Sequence, residues 1–576
     1  MAKLVQLEIK NYRSIESLVL NFDPASNLVC FIGRGDSGKT TILEAISAVL
    51  SPSWNLAFHD TDFYNCDYTR PIEILASMID LPEKLVDAGK FGMHIRGFNS
   101  QTKTIIDDVA GDGAEQWPIP LITIRLYVDE HLEPKWTLTN ERAQEDILVS
   151  ASERELLNCC LIADHVDRHF SWNKGNPLYA LLKALDKKDQ PEEKNVVIRS
   201  LREAKNHIDK HGFSELQEAT DIVAMQAAAL GLNILNSGNT LDLKELSIKD
   251  GRISLHEDLI PFRLKGKGSK RLVSLAIQLA LVKNGGIMLV DEIEQGLEPD
   301  RIRHLVRVLK ENAGGQVFLT THSRDAITEL GAEPLCLILK DKDPMIIEGR
   351  PLNYSQEVLN KAVRACPEAF FAKKVIVCEG ATEVGICRAL DKYRKKKGKK
   401  PMSFMECAYV DGNGLNSADR ALTIVGADMS TALLCDSDDA VLTAQKPALL
   451  KQNVLICDCE AANCIETQAF KDLPWQGLQD LLQLVIKTQK NQTESAIENA
   501  VKAQLSKEFK YEKQWLSIES DDLRTALGYV ANKRAWFKRI DFGEFFGDVI
   551  FNHFDQLDEK THLKKTLVTL SDWIDS

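Results

Sequence analysis

Gly33-Arg34-Gly35-Asp36-Ser37-Gly38-Lys39-Thr40 fits the pattern G-x-x-x-x-G-K-[ST] in full. Glycines at these positions let successive backbone N–H groups curl around phosphate oxygens, and the start of the next helix adds positive potential. Lys39 is then placed to reach the outer phosphates of ATP, with Thr40 on Mg2+ and Thr41 beside it. Such a loop alone argues nucleotide binding, not hydrolysis. The second half is supplied by the apolar run at 287–290, of the kind buried in a parallel sheet. It ends on Asp291, which can hold Mg2+ directly or through water, and on Glu292, which can orient or activate an attacking water. His322 follows about 30 residues later at another strand end, where it could sense the terminal phosphate. The stretch Gly266-Lys267-Gly268-Ser269-Lys270 precedes a long helix and could form a second phosphate-binding helix start, with Ser269 as its polar side chain.

A second group is purely acidic. Glu379 closes the apolar strand at 374–378 and is followed by Gly380, and Glu383 lies one helical turn further on. About 55 residues later Asp436 and Asp438 stand at another strand end, two apart and so on one face of an extended chain. Four clustered carboxylates repel one another unless a cation neutralises them. Mg2+, Mn2+ and Ca2+ prefer such oxygen ligands. Two ions about 3.5–4 Å apart would stabilise both the attacking and the leaving oxygen of a phosphodiester.

These groups need strands that end on one edge and helices that follow them. Residues 1–50 alternate as strands do, turn through the glycine-rich loop and run into an apolar-periodic helix. Strands are expected near 72–80, 121–128, 287–290, 316–320 and 374–378, and again before Asp436 and Asp458. The stretch 150–245 turns helical and charged, and the tail from about 475 is mainly helical. The domains expected are an ATPase in two parts, 1–150 and 246–350, a helical insertion at 151–245, a connector at 351–370 and a second α/β domain with helical additions at 371–576.

The chain has 576 residues, 44% hydrophobic and 27% charged, which excludes a wholly disordered chain, a collagen and a coiled-coil rod. Its net charge of −13 argues against a simple basic coat, although local patches decide nucleic-acid binding. No apolar run is long enough to cross a membrane and no secretion signal is evident, so a cytoplasmic protein is expected, with its 13 cysteines reduced. Cys457, Cys459 and Cys464 lack the paired spacing of a zinc site and read as buried thiols. The run 392–400 holds seven basic residues in nine, either a solvated loop or a phosphate contact.

Together the first group resembles the ABC-type ATPases of the branch that contains the SMC and RecF proteins. The resemblance implies ATP-dependent association of two heads, with the loop Gly296-Leu297-Glu298-Pro299-Asp300 at the contact. Here Gly266–Lys270 replaces the usual Leu-Ser-Gly-Gly of that family. The strand-end Glu-Gly followed by Asp-x-Asp resembles the Toprim domain of topoisomerases, primases and certain nucleases. The order of the two, with a helical insertion in the ATPase, is similar to the OLD (overcoming lysogenization defect) family, which includes the nuclease subunit of Gabija anti-phage systems. That implies an ATP-regulated, metal-dependent DNA endonuclease, a helical dimerisation insertion, and a homodimer or homotetramer. It also implies a defence partner, either a helicase or a retron reverse transcriptase with its RNA–DNA product. The resemblance adds later acids and a lysine to the site: Asp458, Glu460 and Glu466, and Lys538, with Lys533 as a competitor. Asp411 is either a metal neighbour or a turn former. A non-catalytic ATP-dependent DNA clamp is the alternative. A topoisomerase or primase would need a tyrosine-bearing module or zinc-ribbon cysteines, and neither is seen.

Overall fold

The computed structural model describes residues 2–107, 118–142, 145–163, 166–170, 260–282, 285–312, 314–340, 347–351, 356–427, 429–505, 515–517 and 519–576, with short pieces between 176 and 257. The chain packs as two compact units, Met1–Leu161 with Gly285–Ser576, and Ile162–Asn284. In chain order the strands are β1 (Lys3–Tyr12), β2 (Ile15–Asn21), β3 (Leu28–Ile32), β4 (Ile72–Ile79), β5 (Arg96–Asn99), β6 (Thr104–Ile106), β7 (Ile119–Val128), β8 (Pro134–Thr139), β9 (Ile147–Leu148) and β10 (Cys159–Ile162). There follow β11 (His256–Glu257), β12 (Ile260–Pro261), β13 (Ile287–Val290), β14 (Gln316–Thr320), β15 (Leu335–Lys340), β16 (Ile347–Pro351), β17 (Lys374–Cys378), β18 (Cys407–Asp411), β19 (Ser430–Leu434) and β20 (Leu455–Cys457).

The larger unit is built on three sheets. An antiparallel sheet runs β2-β1-β4-β7-β5-β6, with β8 and β9 continuing from β7. In β2 the burial alternates residue by residue from Ser17 to Asn21, the signature of a sheet with one wet face. A second sheet, β10-β13-β14-β3-β15-β16, is parallel from β13 to β15 and closes with the antiparallel β16. Its central strands β3, β13 and β14 are buried along their whole length, as helices or sheets on both faces require. The helix Lys39–Val49 buries Ile42, Ala45, Ile46 and Val49 in the core shared by these two sheets.

The third sheet is four-stranded and wholly parallel, in the order β18-β17-β19-β20. Helices Ala381–Lys396, Ser417–Gly426 and Ala440–Lys451 make the crossovers. Strand order reverses between β17 and β19, and the carboxyl ends at such a reversal form the crevice where open α/β sheets hold ligands. The helical tail covers this domain. Helix Ile540–Asn552 lies so close to helix Ala381–Lys396 that a Cβ on Gly385 would stand 2.3 Å from the Glu544 backbone nitrogen.

In the smaller unit the described residues include the β11–β12 hairpin and the helix Lys267–Val282. Lys270 pairs with Asp167 at 2.9 Å, Arg271 donates to the Ala163 carbonyl at 3.0 Å, and His169 Nδ1 lies 2.5 Å from Ser274 Oγ. The helix given to the second ATPase segment by sequence thus packs within 162–284. The expected helical insertion at 151–245 falls largely outside the described residues.

Candidate functional sites: a phosphate loop and a carboxylate cluster

The phosphate loop joins β3 to helix Lys39–Val49, as its motif requires. Gly33 holds φ at +145° with the Ile338 carbonyl 2.6 Å from where a Cβ would be, and Gly38 takes φ +95°; neither position suits another residue. Asp36 also adopts a positive φ, and Gly35 is open to space. Lys39 is buried, and its ammonium donates to the Gly33 carbonyl at 3.0 Å, to Ser37 Oγ at 3.3 Å and to the Arg34 carbonyl. Burial pulls its pKa down to about 8 against the opposing pull of Asp291 and Asp36.

Thr40 Oγ1 lies 3.1 Å from both carboxylate oxygens of Asp291, so hydroxyl and carboxylate already face one point, as a shared Mg2+ requires. Thr320 Oγ1 donates to Asp291 at 2.6 Å and accepts from the Glu292 N–H at 2.7 Å. Glu292 itself sits at φ +47°, a strained position for a residue with a side chain. Thr41 Oγ1 is 3.3 Å from Ser14 Oγ. Glu294, which sequence reasoning missed, accepts from Thr321 Oγ1 and from the His322 N–H, both at 2.6 Å. It ties the His322 turn to the acidic strand end; its place three residues past Asp291 was the available signal. Burial, and then Lys39, lower the His322 pKa. Ser269 belongs to the smaller unit, in the first turn of Lys267–Val282.

At the third sheet, Glu379 follows β17 and Asp436 follows β19, the two strands that flank the reversal. Glu379 Oε2 accepts from the Asp436 N–H at 2.8 Å, and Asp436 Oδ1 accepts from the Ile465 N–H at 2.7 Å. Glu383 closes a capping box, accepting from the Gly380 N–H at 2.8 Å through Oε2. Its Oε1 and both oxygens of Glu466, which is wholly buried, have no hydrogen-bond partner among the described residues. Lys538 enters from the tail, 3.3 Å from Glu466 Oε1 and 3.8 Å from Asp436 Oδ2. Burial raises the pKa of Glu379, Glu383 and Asp436, and Glu466 raises the last two further. For Lys538 burial works downward, but Glu466, Asp436 and Glu383 outweigh it and raise the net value. Glu383 Oε1 and Glu466 Oε2, buried oxygens with no donor among the described residues, are what a hard cation would satisfy. Among the described residues no group of three or more His, Cys, Asp or Glu side chains is yet drawn to ligand geometry. Instead the ammonium of Lys538 neutralises the cluster.

The structure therefore brings Glu379, Glu383, Asp436, Glu466 and Lys538 together. Asp438 stands exposed at the rim, near enough to raise the Glu379 pKa. Glu460 turns outward to Lys471, and Asp458 pairs with Lys446 at 2.7 Å. Lys533 lies over the Tyr529 ring instead. Asp411 caps its own turn by accepting from the Asn413 N–H at 2.8 Å. In the basic run, Lys392 pairs with Glu544 and Asp548, Arg394 and Lys399 with Asp575, and Lys397 with Asp555. Much of its charge is spent within the domain. The 13 cysteines are free, Cys457, Cys459 and Cys464 among the buried ones.

Two family models match the chain: an AAA ATPase domain over residues 2–113, and an AAA domain described as a putative AbiEii toxin of a type IV TA system over residues 178–329. The chain is 25% identical over 409 residues to the OLD nuclease of Thermus scotoductus (strain ATCC 700910 / SA-01), covering 66% of this chain and 71% of that protein. It is 24% identical over 374 residues to the DNA replication and repair protein RecF of Phocaeicola vulgatus, covering 57% and 92%. Among solved structures, an Smc head domain with an extended coiled coil, bound to the C-terminal domain of ScpA and derived from Pyrococcus furiosus, aligns with TM-score 0.35 at 14% identity, over 63% of this chain and 99% of that one. The similarity to OLD nucleases read from the motifs thus holds in sequence, and the AAA matches take in the phosphate loop and the Asp291–His322 segment. No helix among the described residues is long and apolar enough to cross a membrane.

Proposed function

We propose that this chain is an ATP-regulated, divalent-metal-dependent DNA endonuclease of the OLD type, acting in anti-phage defence. The observation that carries the reading is the meeting of Glu379 and Asp436 at the strand-order reversal, with Glu383 and Glu466 behind them and Lys538 between. Glu379, Glu383, Asp436 and Asp438 would hold Mg2+ or Mn2+, with Glu466 supplying the deepest oxygens. Once bound, such a metal stabilises charge on the phosphodiester oxygens. Lys538 is poised to stabilise negative charge developing on the scissile phosphate. In the other centre Lys39 would take the outer phosphates of ATP, Thr40 and Asp291 would hold its Mg2+, Glu292 would orient water and His322 would sense the terminal phosphate.

This reading assigns the ATPase to 1–150 and 246–350, a dimerisation insertion to 151–245, a connector to 351–370 and a Toprim domain to 371–576. It further implies a cytoplasmic homodimer or homotetramer that works with a helicase or with a retron reverse transcriptase and its product. Supercoiled plasmid incubated with Mn2+ or Mg2+ is expected to be nicked, and Glu379→Ala and Asp436→Ala to fall to background. Unchanged cleavage in those variants would falsify the site assignment.

The alternative is a DNA clamp that does not cut. What favours it is Lys538, which already neutralises the acids. It requires ATP-sensitive DNA binding and no strand breaks with any divalent metal.

A further inference from the structure

The phosphate loop does not end at the nucleotide site. Arg34, its second residue, points away from it and donates through Nη2 to the Ser403 carbonyl at 3.1 Å. Its Nε lies 3.5 Å from Glu406 Oε1. Both partners sit in the turn at 401–406 that launches β18. The same turn holds the root of β17, because the Glu406 carbonyl accepts from the N–H groups of Lys373 and Lys374 at 3.0 and 3.1 Å. A second tip of the nucleotide site arrives close by. The His322 ring lies 6.2 Å from that of Phe371, three residues before β17 begins. At its far end β17 delivers Glu379, whose N–H donates to the Leu434 carbonyl and whose carboxylate accepts from the Asp436 N–H.

Lys39 supplies the trigger. Its ammonium is spent on the Gly33 and Arg34 carbonyls, so the peptide that carries the Arg34 side chain is held by the very group that must turn to a phosphate. On binding a triphosphate, Lys39 would turn from those carbonyls to the phosphates and so release the peptide that carries Arg34. A strand moves as a rigid piece within its packed sheet, so a shift at the root of β17 is felt at its tip about 17 Å away.

We propose that Arg34 is a coupling residue that passes the nucleotide state of the phosphate loop, through Ser403 and Glu406, to the strand that positions Glu379. This rests on the nuclease reading of the acid cluster only for what the shift controls; the linkage itself is independent of it. Glu406 serves for the test because it lies outside both centres. The full chain and its Glu406→Arg and Glu406→Gln variants are compared in two measurements. One is hydrogen exchange at 401–411 with and without a slowly hydrolysed ATP analogue. The other is the ratio of Mn2+-dependent plasmid nicking with and without ATP.

The wild type is expected to respond to nucleotide in both. In Glu406→Arg the response shrinks about fivefold, at the lower end of usual coupling between sites. ATP hydrolysis and nucleotide-free nicking stay as they were, and Glu406→Gln falls between. A full nucleotide response in Glu406→Arg overturns the coupling, and so does a wild type whose 401–411 exchange ignores the analogue. A wild type whose exchange responds but which cuts no plasmid with any metal sinks the nuclease reading and leaves the coupling standing.

Discussion

Lys538 separates acids that would otherwise face one another uncompensated, and its removal tests how the cluster is held. Replacing one member of a buried charge group leaves the others unpaired, at about 3–5 kcal/mol for full burial. Lys538 is 40% exposed, so about 1–2 kcal/mol is the expected loss for Lys538→Met in the absence of metal. Denaturant titration in chelator checks this, and added Mn2+ should restore much of the difference. The acids also set a pH dependence. Burial raises the pKa of Asp436 and Glu383 in the folded chain, so the folded state holds protons that the unfolded state has released. Their stabilising contribution is whole below the ordinary carboxylate range and is lost as pH rises through the raised values. Metal-free stability measured against pH should therefore fall towards alkaline pH more steeply in the wild type than in Asp436→Asn. Parallel curves would contradict the buried, proton-holding state of Asp436. At this scale the strand-end acids Glu379, Asp436 and Asp438 were legible, because an apolar run ending on a carboxylate marks a sheet edge. The choice of Glu466 over Glu460, and of Lys538 over Lys533, was not. Glu466 stands in the first turn of a helix whose rotation the local pattern leaves open, and Lys538 and Glu460 stand in loops that no periodicity reads.

Helix Ile540–Asn552 sets where Lys538 enters, since Lys538 lies two residues before its first turn. It packs on helix Ala381–Lys396, which carries Glu383, through close glycine contacts. A Cβ on Gly543 would meet the Thr382 carbonyl at 2.7 Å, and Thr382 Oγ1 donates to the Phe537 carbonyl at 3.1 Å. Lysine and glutamate are therefore held in register by a backbone-to-backbone approach. Gly385→Ala must push the helices apart and is expected to destabilise by about 1–3 kcal/mol, as overpacking does. It should also reduce nicking while ATP hydrolysis is kept, and an unaffected melting curve together with full nicking would refute the register argument. The elements themselves were largely readable. Period-two alternation gave β1 and β2, and all-apolar runs gave β13 and β17. The crossing of these two helices was not readable, since a glycine in a helix signals close approach without saying to what. The basic run was legible as charge, but its acidic partners at Glu544, Asp548, Asp555 and Asp575 lie about 150 to 180 residues further along the chain.

At the scale of the molecule the ATPase half should control assembly. Thr40 and Asp291 keep their shared geometry when Glu292 is changed to Gln, so that variant is expected to bind ATP while hydrolysing it slowly. If two heads associate around nucleotide, ATP should raise the mass of Glu292→Gln measured by light scattering, and should leave Lys39→Ala unchanged. A mass indifferent to ATP in Glu292→Gln would remove the head-association reading. The order of the two centres along the chain was visible from motifs alone, whereas the packing of helix Lys267–Val282 within 162–284 was not. Its ties to Asp167, His169 and Ala163 join residues about 100 apart.

Both centres share one further trait. Lys39 rests on carbonyls of its own loop, and Lys538 rests among the carboxylates it serves. On the proposed reading, each pocket already seats an ammonium where charge must be balanced, so loading either one would be an exchange of tenants in which the ligand must first displace a lysine.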